Sequence, residues 1–149
     1  YPAMKLLNEL NIPLPDAFRA TVDVVLSGKL NAILESPNID LEELAKVCGE
    51  IKEWNVAIDR HHISRIASER VSSLLKDFKE RKEDFDLIFE AGQIIELLTQ
   101  INVTLDLWKA QNIYFDIVAD MLGHGRPLEG NVLNAMKRLG LLLGVMFPV

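Results

Sequence analysis

A single cysteine, Cys48, is the only thiol in this 149-residue sequence. One thiol allows neither an intramolecular disulfide nor a cysteine-built zinc site. Cys48 falls on the apolar stripe of its segment, so a buried, inert thiol is the expected role, and a reducing, cytoplasmic setting the expected location. Positive charge is also scarce. Sixteen Lys and Arg face 22 Asp and Glu, a net charge of −6, and the basic residues are interleaved with acidic ones, as in Arg81-Lys82-Glu83-Asp84. Nucleic acid binding depends on neutralising phosphates, so nucleic acid is not an expected partner. Nor is a membrane. The longest apolar run, Leu139 to Val149, falls short of the ~20 residues a spanning helix needs. No signal peptide is visible.

Catalytic signatures are missing too. There is no Gly-x-Ser-x-Gly, no glycine-rich phosphate loop, and no His or Asp framing Cys48. No strict apolar/polar alternation marks a strand, and no Asn-Gly or Asp-Gly marks a hairpin. No catalytic residue, metal site or cofactor is expected in this chain.

Hydrophobic residues, 49% of the total, recur at helical spacing. Leu41, Leu44, Cys48, Ile51 and Trp54 form one stripe. Ile63, Ile66, Ala67, Val71, Leu74, Leu75 and Phe78 form a second, and Ile88, Ala91, Ile94, Ile95 and Leu98 a third. Asp40, with Glu43 three residues on and Ile39 and Leu44 flanking, reads as a capped helix start. Thr104 is expected to cap a later helix, with Val103 and Trp108 as its staple. Gly123-His124-Gly125-Arg126-Pro127 reads as a loop, with Pro127 in the first turn of the last helix.

One punctuation recurs: Leu10-Asn11-Ile12, Trp54-Asn55-Val56 and Ile101-Asn102-Val103. Asn is the commonest non-Gly residue in the left-handed conformation that closes a helix, and the apolar residue after it can fold back on the last turn. The expected helices are near 2–10, 15–35, 41–54, 60–82, 85–101, 105–122 and 128–145. The fold class is all-α: about seven helices in antiparallel hairpins, forming a compact bundle, with a short helical-repeat array as the alternative. Residues 1–149 are taken as one helical domain. The opening at Tyr1 and the apolar ends (Met4, Leu6, Leu7 and Leu10; Leu139 to Phe147) suggest a piece of a longer protein. These ends are expected to be buried in the core or in an interface, including a homodimer.

Two segments carry unusual chemistry. In Asp59 to Arg70, His61, Arg65 and Glu69 share a face, while His62 points about 100° away from His61, a poor geometry for gripping one metal ion. A charged surface or an ion-paired helix contact is the plain reading, and a ligand site using Arg65, Glu69 and Arg70 the functional one. In Leu105 to Asp116, apolar residues surround the helix and imply burial on most sides. Gln111 and Asn112 then either tie the helix to a neighbour's backbone, or to Arg70 or Glu69, or they join Trp108 and Tyr114 in a sugar- or peptide-binding groove.

Three stretches, Leu6 to Pro15, Ala67-Ser68-Glu69-Arg70 and Leu107 to Phe115, resemble the uncharacterised helical region C-terminal to the catalytic domain in a branch of glycoside hydrolase family 57, the amylase/mannosidase-like enzymes. Trp108-Lys109-Ala110-Gln111-Asn112 is the most specific of them. The similarity covers most of the chain and corresponds to the later part of that region. The family's catalytic Glu and Asp lie in an N-terminal barrel, which nothing here resembles, so no residue inherits a catalytic role. The resemblance implies carbohydrate processing by a parent glycoside hydrolase. This chain would be a non-catalytic accessory domain bracing or extending the barrel, with that catalytic domain as partner and carbohydrate as a further ligand class. A free-standing helical interaction module is the alternative.

Overall fold

A computed structural model describes residues 2–12, 15–81, 84–123 and 130–145, except the side chain of Met4. Among these residues the chain is helical, with no strand: α1 (Pro2–Glu9), α2 (Asp16–Glu35), α3 (Leu41–Trp54), α4 (Arg60–Arg81), α5 (Phe85–Gln100), α6 (Trp108–Gly123) and α7 (Gly130–Leu142). The helices lie close to where the 3.6-residue periodicity puts them, except that α6 starts at Trp108 rather than near 105 and α7 ends at Leu142 rather than near 145. Of the expected loop 123–127, Gly123 ends α6; the remainder, 124–127, and the start of the last helix at 128–129 lie outside the described residues.

The chain packs as two compact units, Tyr1–Asp59 and Arg60–Val149. In the first unit, α2 packs on α3. α2 buries Val22, Leu26, Leu30 and Leu34 at spacing four, and α3 buries Leu44, Val47, Cys48, Ile51 and Trp54. Each such aliphatic side chain, fully removed from water, contributes roughly 1.5–3 kcal/mol. Asp40 caps α3 as its sequence context indicates, its Oδ1 accepting the Glu43 N–H at 3.1 Å.

In the second unit α5 packs on both α4 and α7, and α4 also packs on α6. The core holds Ala67, Val71, Leu75 and Phe78 of α4, Ile88, Ile94 and Leu98 of α5, Tyr114 of α6, and Met136 and Leu139 of α7. The rings of Phe78 and Phe85 meet at 5.4 Å.

The recurring Asn has the role its context implies. Asn11, Asn55 and Asn102 take φ of 55°, 50° and 60°. In each case two hydrogen bonds close the helix: Ile12 N–H to Leu7 O with Asn11 to Asn8, Val56 to Ile51 with Asn55 to Lys52, and Val103 to Leu98 with Asn102 to Thr99. This is the Schellman closure, which satisfies carbonyls the helix leaves free. α7 closes the same way through Gly144 at φ 75°, with Val145 N–H on Gly140 O at 2.8 Å. It therefore ends at Leu142, short of the 145 that its apolar run suggests.

Side chains pin the segments that follow. In the first unit Arg19 Nη2 donates to Asn55 O at 2.9 Å, Ser27 Oγ to Ala57 O at 3.3 Å, and Asp23 Oδ1 accepts the Ala57 N–H at 3.2 Å. In the second, Ser64 Oγ donates to Thr104 O at 2.8 Å, and Ser68 Oγ accepts the Asp106 N–H at 3.0 Å. Thr104 thus lies outside any helix, its carbonyl held by Ser64, rather than serving as a helix cap. α6 begins at Trp108, whose N–H is taken by Asp106 Oδ1 at 3.2 Å. The expected Val103–Trp108 staple is also absent: Val103 is buried while Trp108 is 73% exposed.

Candidate functional site

α6 carries four of the residues nominated from sequence, and the structure gives them different surroundings. Trp108 stands in solvent at the first position of the helix. Asn112, one turn on, is also exposed and donates its Nδ2 to Trp108 O at 2.9 Å. Gln111 is half-buried and donates its Nε2 to Leu143 O at 2.7 Å. Tyr114 is wholly buried, its hydroxyl donating to Met136 O at 2.8 Å, and burial pushes its pKa up to about 12.

The helix is therefore not buried on most sides, as its composition suggests. Trp108 and Phe115 are exposed, while Ala110, Tyr114, Ile117 and Val118 form the inward face. Gln111 fulfils the expected tie to a neighbour's backbone. Tyr114 has no open face on which a ring could stack.

The hydrogen bonds described for Gln111 and Asn112 run to Leu143 O and Trp108 O rather than to the α4 nominees. Arg65 is exposed with its Nη2 3.3 Å from His62 Nδ1 on the same helix. Glu69 is exposed. Arg70 is half-buried and acts on Glu90 of α5: burial holds the Glu90 carboxyl above the ordinary range, the Arg70 charge opposes that, and Asp84 adds to it. The link from α4 to the start of α6 runs through Ser68: its hydroxyl accepts the Asp106 N–H, and the Asp106 carboxylate accepts the Trp108 N–H. Composition alone does not flag Ser68. Its position on the buried stripe of α4, where a hydroxyl needs a partner, is the available signal.

Between α5 and α7 lies a groove of about 250 Å3. Ile88, Gly92, Ala135, Leu139 and Leu142 supply apolar lining, Phe89 a half-exposed aromatic wall, and Gln93, Asn134 and Arg138 polar groups. Arg138 Nη2 reaches Glu96 Oε2 at 2.6 Å. Gly92 allows the close approach of the two helices, since a Cβ there would meet Leu142 Cδ1 at 3.3 Å. The sequence signal for this site is Phe89, a large apolar residue off the α5 stripe.

A second apolar surface lies in the first unit. Among the described side chains of residues 2–21 none is buried. Leu6, Leu10 and Phe18 are 56%, 59% and 54% exposed, and Ile12 is similarly open. At the other end of the chain Leu139, Gly140 and Leu143 are buried but Leu141 is 78% exposed. The final apolar segment is thus buried in the core on one side and exposed at Leu141 on the other, and Met146 and Phe147 lie outside the described residues.

Among the described residues no group of three or more His, Cys, Asp and Glu side chains is placed to hold a metal ion. No described helix is long and apolar enough to cross a membrane. Cys48 is buried, and burial raises its thiol to about 11. No protein family, curated protein or solved structure matches the chain.

Proposed function

We propose that the chain is a non-catalytic accessory domain of a polysaccharide-processing enzyme of the glycoside hydrolase family 57 type, bracing or extending the catalytic barrel. The observation that carries this reading is the stretch from α1 into α2, which exposes Leu6, Leu10, Ile12 and Phe18 and buries none of its described side chains. An eight-residue helix is well below the length that holds in water by itself, so α1 depends on a partner surface. Large apolar side chains left exposed along one short stretch offer apolar surface to a partner. The resemblance around Trp108 to Asn112 supplies the carbohydrate setting, and the open face of Trp108 is where a sugar ring can stack. The single buried thiol and the acidic balance suit a reducing, cytoplasmic enzyme with no nucleic acid partner.

The groove between α5 and α7 favours a second reading, a helical interaction module that takes apolar side chains of a peptide or protein partner. The open reading frame that encodes the chain separates the two. Upstream βα alternation of barrel length supports the accessory domain. A frame that opens near Tyr1 overturns it and leaves the module. The accessory reading also expects the isolated chain to hydrolyse neither amylose nor mannan, and measurable turnover would contradict it.

A further inference from the structure

We draw no further inference here: the strongest candidate, the apolar groove between α5 and α7 bordered by Gln93, Asn134 and Arg138, carries nothing because nothing in the structure shows what covers it.

Discussion

A Cβ placed on Gly140 would lie 2.7 Å from the hydroxyl of Tyr114. Real side chains do not approach that closely, and neither neighbour yields easily. The Tyr114 ring is wholly buried, and the backbone oxygen of Val145 stands on another side at 3.3 Å. Gly140 is therefore the notch in α7 that admits the phenol to its acceptor, Met136 O.

Gly140→Ala tests this notch. In an open helix the change would stabilise by about 1 kcal/mol. Here the overpacking penalty of about 1–3 kcal/mol should win, giving a net loss in urea denaturation. Tyr114→Phe removes the clashing oxygen, so the same Gly140→Ala change should cost less in that background. A double-mutant cycle reads the difference as coupling. Equal costs in both backgrounds would mean the notch is not made for the hydroxyl.

The left-handed caps make a second, graded prediction. Asn and Ala both carry a Cβ, but the short polar Asn side chain tolerates the left-handed region by bonding locally. Asn55→Ala and Asn102→Ala lose that tolerance where an ordinary L-residue is penalised by roughly 1–2 kcal/mol, and urea midpoints should fall by up to that amount. Asn55→Gly and Asn102→Gly should stay close to the parent protein, because Gly enters that region freely. Asn11→Ala should leave the global midpoint unchanged, since the helix it closes buries none of its described side chains.

These caps also show which features the sequence makes legible. Helix closure by Asn followed by a branched apolar residue is a local signal, encoded within six residues, and all three instances hold. The helices themselves follow from periodicity, again a local property. The candidate site was far less legible. Trp108 and Tyr114 are both aromatic residues of one amphipathic segment, yet one is in solvent and the other at the centre of the core. Which of them turns inward is set by how α6 packs on α4, and the start of α6 is tied to α4 through Asp106 and Ser68, 38 residues apart. The α5–α7 groove likewise combines residues more than 40 positions apart, and no local pattern announces it.

Ser68→Ala tests that long-range tie. It leaves the part-buried Asp106 N–H without its acceptor, at a cost of about 1–3 kcal/mol. Ser27→Ala, which removes a longer bond to an exposed carbonyl in the first unit, should cost less. If Ser27→Ala proves the more damaging, the hydroxyl at 68 is not what holds the start of α6.

Alkaline pH gives a fourth prediction. Burial raises Cys48 from 9.0 to about 11 and Tyr114 from 10.0 to about 12. Between each pair of values the unfolded chain has released its proton and the folded chain has not, so stability falls as pH rises. The contribution is complete below pH 9 and is lost from there up to about 12. Urea midpoints should be level on the acid side of that window and decline through it. Cys48→Ala should remove the part that begins near 9, and Tyr114→Phe the part that begins near 10. A decline identical in all three proteins would show that neither group is the cause. The native thiol should also resist alkylation at pH 8 until the chain is unfolded.

Calorimetric titration of this chain with the catalytic barrel that the proposed accessory role places in the same reading frame tests whether the exposed stretch of α1 and α2 is a docking surface. The triple variant Leu6→Glu, Leu10→Glu, Phe18→Glu is the comparison, because each position is more than half exposed and such changes stay within about 0.5 kcal/mol of the parent's folding stability. The expected result is saturable binding by the parent chain and its loss in the triple variant, with unchanged urea midpoints. Undiminished binding by the triple variant, or none by the parent chain, would contradict it.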